Sequence, residues 1–160
     1  EILSQKAGVR LQHVPFSGAA KLANDLMGGH ISVGLVDMAT GTPLVKDGKL
    51  VASGRNKRVQ EKNPILHGEM DCLNNAGRIG SYKGTVIYST LMPCYMCAGT
   101  IVQFKIPKVI VGESRTFPGA RKFMEEHGVE VVDLDLPECV RMMELFIAAK
   151  PEVWNEDIGE

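Results

Sequence analysis

The sequence is poor in cysteine and contains no long apolar run, and each shortage excludes a class of protein. Four cysteines in 160 residues are too few for a disulfide-stabilised scaffold. No stretch approaches the roughly 18 apolar residues that cross a membrane. The start of the chain also lacks the basic-then-apolar pattern of a secretory signal. We therefore expect a protein of the reducing cytoplasm that has no membrane partner.

An excess of positive charge is missing as well. Eighteen Lys and Arg residues face 19 Asp and Glu residues, so the net charge is −1. Proteins that coat nucleic acid usually carry a basic excess clustered on one face. The longest basic cluster is Arg55, Lys57 and Arg58, and we interpret it as a short charged turn. No nucleic-acid partner is expected, and 160 residues suffice for one domain, 1–160.

From about residue 47 onward, apolar β-branched runs alternate with segments of helical periodicity. The predicted strands are Lys49–Ser53, Thr85–Ser89, Lys108–Gly112 and Glu130–Asp133. The predicted helices are His67–Ala76, Cys94–Phe104, Arg121–His127 and Pro137–Ala149. The apolar residues of the last helix are predicted to face the interior; they are Val140, Met142, Met143, Phe146 and Ile147. Strands separated by helices indicate an α/β domain in which a sheet with several parallel neighbours lies between helical layers.

One constellation of residues indicates a metal site. The segment His67-Gly68-Glu69 is followed, after 23 residues, by Pro93-Cys94-Tyr95-Met96-Cys97. Two cysteines separated by two residues can reach the same metal from the first turn of a helix, where the helix N-terminus favours their thiolate forms. With His67 they make three protein ligands, which leaves one position of a tetrahedral zinc open for water. The expected cofactor is one zinc ion per chain.

Glu69 lies two residues beyond the histidine, where it could reach that water as a proton carrier. A structural zinc or a redox pair are the alternatives for a Cys-x-x-Cys segment. A structural site needs a fourth ligand, but the remaining histidines and cysteines form no second pair at ligand spacing; they are His13, His30, His127, Cys72 and Cys139. The combination of His-x-Glu with Pro-Cys-x-x-Cys is the signature of zinc-dependent deaminases of nucleobases.

From about Gly54 to Glu160 the sequence resembles the cytidine deaminase-like superfamily, and most closely the fungal-type cytosine deaminases. The matching segments are GRN (54–56), LHGE (66–69), NNAGR (74–78), TLMPCYMC (90–97), IPKVIVGES (106–114) and the tail VWNEDIGE (153–160). The resemblance implies a three-layer α/β/α sandwich with a mixed central sheet, and a homodimer. It also implies a cytoplasmic enzyme of pyrimidine salvage that converts cytosine and water to uracil and ammonia.

The same resemblance assigns roles to residues that would bind the substrate. Asn56 would hydrogen-bond the polar edge of the base, the backbone N–H of Gly68 would bind the ring carbonyl, and Asp157 would accept from the exocyclic amine. The residues that would enclose the ring are Phe117, Trp154 and, beneath it, Leu91. Simpler interpretations exist: Asn56 could be a turn residue, Trp154 a core residue and Asp157 a solvated charge.

Two departures from the family pattern leave the substrate open. Asn155 replaces the aromatic residue that usually follows the tryptophan, and it could widen the pocket or its exit. Residues 5–45 resemble a segment of periplasmic tricarboxylate-binding receptors, which suggests a chimera, natural or produced in sequence assembly, joined near Lys46–Gly54. This atypical segment, 1–46, still offers a possible helix (Gly18–Met27) and strand (Ile31–Asp37), and Glu1 suggests that the natural start lies upstream.

Three alternatives to cytosine deamination therefore remain. The chain could deaminate another base or pyrimidine analogue, such as isocytosine or guanine. It could be a catalytically impaired zinc-binding module if the N-terminal segment spoils the pocket. A tRNA-editing deaminase is less favoured, because binding a nucleic-acid strand requires a basic surface and this chain is slightly acidic.

Overall fold

The computed structural model describes residues 42–159 of the chain. The helix expected at Gly18–Met27 and the strand expected at Ile31–Asp37 lie outside these residues, as does most of the receptor-like segment. Within the described part, the predicted alternation of strands and helices is confirmed from Lys49 to Ala149, with ends that differ by no more than two residues.

Five strands form one sheet in the order β2-β1-β3-β4-β5. They are β1 (Thr42–Lys46), β2 (Lys49–Gly54), β3 (Thr85–Leu91), β4 (Lys108–Glu113) and β5 (Glu130–Asp133). Both pairings of β1 are antiparallel, whereas β3, β4 and β5 run parallel, so the sheet is mixed, as expected. The strand β1 was not predicted. It joins β2 through Asp47 and Gly48, which both have positive φ, as a tight hairpin turn requires.

Six helices accompany the sheet in residues 42–159. They are α1 (Arg58–Glu61), α2 (Gly68–Ala76), α3 (Tyr95–Gln103), α4 (Arg121–Glu126), α5 (Pro137–Ala149) and α6 (Pro151–Ile158). Four of them were predicted. The other two, α1 and α6, are short, and α6 follows α5 after the single residue Lys150, where the prediction ended. Among the described residues, no helix is long and apolar enough to cross a membrane.

The strand β4 shows that helices cover both faces of the sheet. Val109 and Val111 are fully buried in one cluster with Cys72 of α2 and Ile101 of α3. Gly112 points the opposite way, because a Cβ atom there would lie 2.5 Å from Cys139 Sγ of α5. Alternate residues of a strand face opposite sides of a sheet. The helices α2 and α3 therefore form one layer and α5 belongs to the other, which confirms the three-layer sandwich.

The prediction for α5 was wrong in one respect. None of its residues is buried, and Phe146, expected on the inner side, is 38% exposed. Val140, Met142, Met143 and Ile147 are half-buried. The reason is that α5 packs against β4 and α6, so its apolar side is shared between the sheet and the cavity described below.

The parallel strands place the functional region. The carboxyl ends of β3 and β4 lie side by side, with Leu91 opposite Glu113. In sheets of this kind, ligands bind outside the carboxyl ends of the parallel strands. The segment Met92–Cys94 leaves β3 there, and the segment Ser114–Phe117 leaves β4 there.

Candidate active site

The two motifs predicted to bind metal meet at the starts of two helices. His67 is the N-cap of α2 and Cys94 is the N-cap of α3, both with extended backbone, and Cys97 lies in the first turn of α3. The possible ligand atoms of these three residues all lie within 4.8 Å of one another, and His67 Nδ1 is 3.6 Å from Cys94 Sγ. Among the described residues, no further His, Cys, Asp or Glu joins this group. Three donors from one imidazole and two thiols suit a catalytic zinc.

The contact between the two thiols shifts their pKa values in opposite directions. The side-chain hydrogen bond with Cys97 lowers the pKa of Cys94 to about 4, against burial and with help from His67. The pKa of Cys97 is raised, because its thiol is paired with Cys94 and is buried. A thiolate is the form of cysteine that binds metal, so Cys94 is already in the binding form and Cys97 would release its proton when a metal binds. One imidazole and two cysteines form a donor set that fits zinc.

His67 is held from its other ring nitrogen. His67 Nε2 lies 2.9 Å from Asp157 Oδ1 at the far end of the chain. Burial acts to lower the pKa of His67, but the contacts with Asp157 and Cys94 outweigh it and raise the pKa to about 10. A carboxylate behind a ligand histidine fixes the orientation of the ring. This contact turns Nδ1 of His67 towards the cysteines.

Glu69 lies beside the same thiols. It is buried, its Oε1 accepts a hydrogen bond from Ser89 Oγ at 2.8 Å, and its Oε2 accepts from Cys97 Sγ at 3.5 Å. Burial raises the pKa of its carboxyl group. A carboxyl group with a raised pKa can both take up and release a proton near neutral pH. Sequence reasoning did not find Ser89, whose hydroxyl on the end of β3 orients this carboxylate.

A cavity of about 690 Å³ opens onto this group. All the residues predicted to bind substrate line it, namely Asn56, Gly68, Leu91, Phe117, Trp154 and Asp157. Asn155 is exposed and is not among the residues that line the described cavity. Its effect on the pocket or on the exit of the pocket stays a prediction. On the helix α6, positions 154, 157 and 158 face the cavity, and position 155 turns away from that side.

The aromatic wall of the cavity joins two distant segments. Phe117 follows β4, and Trp154 is a buried residue of α6. Their ring centroids lie 5.9 Å apart with the planes at 89°, an edge-to-face pair of the kind that aromatic rings prefer. Trp154 is thus both packed and in the cavity wall.

One member of the basic cluster, which was predicted to be a short charged turn, is buried. The side chain of Arg58 is 4% exposed, and its guanidinium lies 2.8 Å from Asp157 and 3.2 Å from Glu156. These contacts tie α1 to α6 across the mouth of the cavity. The acidic residues Glu156 and Asp157 in the tail were the sign in the sequence that a basic partner exists. Their spacing in the sequence does not indicate that this partner is Arg58.

A second residue that sequence reasoning missed is Glu113, at the end of β4. Its carboxylate is fully buried and accepts hydrogen bonds from the backbone N–H groups of Arg115 (2.7 Å) and Thr116 (3.0 Å), and from the Thr116 hydroxyl. Ser114 Oγ donates to Asp133 at 2.5 Å. These bonds hold the loop that carries Phe117 against the end of the sheet.

Comparison with known proteins agrees with this geometry. The sequence profile of the family described as "Cytidine and deoxycytidylate deaminase zinc-binding region" matches residues 28–113. A cytosine deaminase of Candida albicans is 47% identical over 116 residues, which are 71% of this chain and 77% of that protein. A tRNA-specific adenosine deaminase of Streptococcus pyogenes is 32% identical over 122 residues, 69% of this chain and 77% of the relative.

Solved structures show the same fold. One from a study of tRNA:A34 deaminases matches with a TM-score of 0.53 and 25% identity, over 58% of this chain and 75% of that one. The guanine deaminase of Nitrosomonas europaea matches with a TM-score of 0.54 and 16% identity, over 78% and 79% of the two chains. This second likeness concerns the fold alone.

The family match also bears on the atypical N-terminal segment. It begins at residue 28, so it includes the second half of the segment that resembles a tricarboxylate-binding receptor. The receptor-like origin of this segment is unsupported by these comparisons and stays a prediction. Because the profile spans more than half of the chain, and because the Candida relative is matched over most of its length, the chain belongs to the cytidine and deoxycytidylate deaminase zinc-binding family.

Proposed function

We propose that this chain is a zinc-dependent hydrolase that converts cytosine and water to uracil and ammonia. The observation that carries the proposal is the meeting of three groups in one cavity: the cluster of His67, Cys94 and Cys97, the buried carboxyl group of Glu69, and the cytosine deaminase-like tail with Trp154 and Asp157. The 47% identity to a cytosine deaminase supports cytosine over the other bases.

His67, Cys94 and Cys97 would hold one zinc ion per chain. When bound, zinc supplies a water molecule whose pKa is near 7, so a nucleophile is available at neutral pH. Asp157 orients His67 through Nε2, and Glu69 Oε2 lies 3.5 Å from Cys97 Sγ, on the side of the metal cluster. The chain's own residues thus set the direction of the imidazole and place the carboxyl group next to the thiols.

Glu69 would move the protons. Its carboxylate would take one proton from the attacking water and deliver it to the ring nitrogen next to the amine-bearing carbon. It would then take the second proton from the hydroxyl group added to that carbon and deliver it to the leaving amine, so that one water molecule supplies both protons. Ser89 donates to Oε1 and leaves Oε2 on the metal side, beside Cys97. Burial favours the protonated carboxyl group, which is the form that donates to the base.

The remaining cavity residues would bind the base. Asn56 offers an amide to its polar edge, the N–H of Gly68 offers a donor to the ring carbonyl, and Asp157 offers an acceptor to the exocyclic amine. Phe117 and Trp154 would close over the ring, and Leu91 would pack beneath it. Asp157 also contacts His67, Asn56 and Arg58, and a carboxylate has about four acceptor sites to share among such partners.

The wider assignments belong to the same proposal. We infer that residues 1–160 form a single deaminase domain, that it works as a cytoplasmic homodimer, and that it serves pyrimidine salvage. The resemblance to fungal-type cytosine deaminases supports each of these. Light scattering of the purified chain tests the dimer, and a monomer at micromolar concentration would contradict it.

Ammonia release from a panel of substrates tests the proposed function. Cytosine, isocytosine, guanine, adenine and cytidine are compared with an adenosine-containing tRNA anticodon stem-loop. Cytosine should show the highest kcat/KM. A preference for another free base would correct the substrate, because a cavity of about 690 Å³ also admits a purine. Turnover of the stem-loop alone would place the chain with the tRNA deaminases, and bound zinc without any turnover would indicate an impaired module.

The variant Glu69→Gln tests the mechanism. The amide is similar in shape but cannot carry the proton, so turnover should fall at least about 100-fold. Zinc content, measured by atomic emission, should stay at one ion per chain. Ser89→Ala is the matched variant, since it removes the partner of the carboxylate and leaves the proton carrier; it should retain part of the activity. Full activity of Glu69→Gln would overturn the assigned role.

A further inference from the structure

A buried carboxylate outside the proposed catalytic group connects two parts of the site. Asp71 lies in α2, and its side chain is 3% exposed. Its Oδ2 accepts a hydrogen bond from the backbone N–H of Arg55 at 3.0 Å. Its Oδ1 lies 2.8 Å from Lys57 Nζ, which donates to it. Burial acts to raise the pKa of Asp71, but these partners hold it below its usual value, so the group is an anion at neutral pH.

Asn56 lies between the two residues that Asp71 holds. Its own side chain is exposed, so close packing does not fix its position. Asn56 Nδ2 donates to Asp157 Oδ2 at 3.0 Å, and Asn56 Oδ1 accepts from the backbone N–H of Arg58 at 3.1 Å. Polar contacts alone therefore orient this amide. The contacts to Asp71 are those that reach into the interior of the domain.

Gly54, which precedes Arg55, restricts the position of this loop. A Cβ atom on Gly54 would lie 2.0 Å from the backbone nitrogen of Cys72, a separation that real atoms do not tolerate. The end of β2 therefore lies directly against α2, one residue beyond Asp71. Asp71 therefore holds the residues on both sides of Asn56, because it binds Arg55 through the backbone N–H and Lys57 through the side-chain ammonium group. The backbone N–H of Lys57 donates to the Leu66 carbonyl oxygen at 3.0 Å.

The helix α2 also carries the groups proposed for chemistry. His67 is its N-cap, and Gly68 and Glu69 form its first turn. We propose that Asp71 is a positioning residue that holds Asn56 in register with Glu69, so that the amide meets the edge of the base while the carboxyl group reaches its ring nitrogen. This inference rests on the proposed function, since it assumes that Asn56 contacts the substrate.

The predicted effect is on binding more than on the chemical step. Glu69 is held separately by Ser89 and Cys97, so it keeps its place when Asp71 is changed. Asp71→Ala should raise KM about tenfold or more, the change that corresponds to one lost hydrogen bond to a charged group. It should lower kcat only a few-fold and leave one zinc ion bound. Lys57→Met keeps the bond from Arg55 and should give a smaller rise in KM.

A double-mutant cycle separates positioning from general stability. If Asp71 acts through Asn56, then Asp71→Ala combined with Asn56→Ala should have the same kcat/KM as Asn56→Ala alone. Additive losses in the double variant would overturn the proposal, and so would an equal loss of kcat and zinc in Asp71→Ala. Glu130→Gln is the control, because it breaks an exposed ion pair of the same 2.8 Å length, with Lys108, away from the cavity. It should change neither parameter.

Two further measurements keep the test decisive. If Asp71→Ala does not fold, as judged by its melting curve, the cycle is run with Lys57→Met, which keeps the carboxylate. If cytosine is not the substrate, the proposed function has failed, and the cycle is measured on the base that is turned over in the panel. Both proposals are overturned if the chain turns over none of the bases and if Glu69→Gln binds none of them in calorimetry.

Discussion

The two ends of the cavity are built in different ways. The metal end lies at the N-termini of α2 and α3, where His67, Cys94 and Cys97 lie close together beside the buried Glu69. The recognition end consists of a loop, a strand end and a terminal helix, joined by polar contacts such as Asn56 to Asp157, 101 residues apart. One end depends on local helix geometry, and the other depends on long-range charge pairs.

The difference shows which end of the cavity sets the metal chemistry and which end recognises the base. At the metal end, the spacing of Cys94 and Cys97 within one helical turn sets two of the three candidate ligands. Recognition of the base requires that α1, the loop after β4 and α6 reach the same cavity, and each is held by its own contacts: Arg58, Glu113 and Trp154. Changes at the metal end should therefore affect the chemical step, and changes at the recognition end should affect binding.

The largest effect is expected from loss of the metal end. Cys97→Ser, or removal of zinc by a chelator, should lower kcat by at least about 1,000-fold, because the activated water is lost. Binding of uracil, measured by calorimetry, should weaken much less, since Asn56 and Trp154 remain in the cavity wall. Readdition of zinc should restore the chelated wild type. Equal loss of turnover and binding would show that the two ends are not separable.

A smaller effect is expected from Glu113→Ala. The change removes the carboxylate oxygen that accepts from the backbone N–H groups of Arg115 and Thr116, and leaving these donors without their acceptor costs about 1–3 kcal/mol. The loop that carries Phe117 should loosen, and KM should rise about tenfold with zinc retained. Thermal melting and steady-state kinetics measure both changes. An unchanged KM would mean that Phe117 is placed without Glu113.

Arg58→Met should have a still milder effect on KM. It removes the guanidinium between α1 and α6 but keeps the apolar stem of the side chain. We expect KM to rise several-fold, up to about tenfold, because Asp157 keeps His67 and Asn56 as partners. Glu156→Gln is the matched control, since Glu156 is 68% exposed and its ion pair should contribute little. Loss of zinc in Arg58→Met would show that Asp157 fails to hold His67 without the arginine.

The smallest effect is expected from Asn155→Phe, which restores the aromatic residue typical of the resembling family. Asn155 is exposed on α6 and does not line the described cavity, so kcat/KM for cytosine should change less than about twofold. The measurement is the ratio of kcat/KM for cytosine and isocytosine. A marked shift in that ratio would show that Asn155 influences which base the pocket accepts.

Much of the fold could be predicted from the sequence. Apolar β-branched runs and helical periodicity placed four strands and four helices, because burial of one face imposes these periods. β1 was missed because it lies before residue 47, where the alternating pattern begins, and contains Pro43. α6 was missed although it begins at Pro151, a residue that is common at the first position of a helix. Phe146 was misplaced because a helical period shows which side is apolar, not what covers it.

The candidate site divides in the same way. The spacing of Cys94 and Cys97, with His67 and Glu69 two residues apart, indicated zinc chemistry without any structure, since residues within one turn of a helix are neighbours in every fold. Ser89, Arg58, Glu113 and Asp71 could not be assigned in advance. Each acts through a partner at least two residues away whose position depends on how strands and helices pack.

The sequence by itself determined the type of metal site, a candidate proton carrier and the alternation of strands and helices, because these follow from local spacing and from periods of burial. The tertiary structure alone decided which charges meet. It buried Arg58 against Asp157, turned that carboxylate towards His67, and tied the loop of Asn56 to Asp71. Electrostatic contacts depend on distance in space, and distance in space between residues far apart in the chain is a property of the folded sheet and its helices.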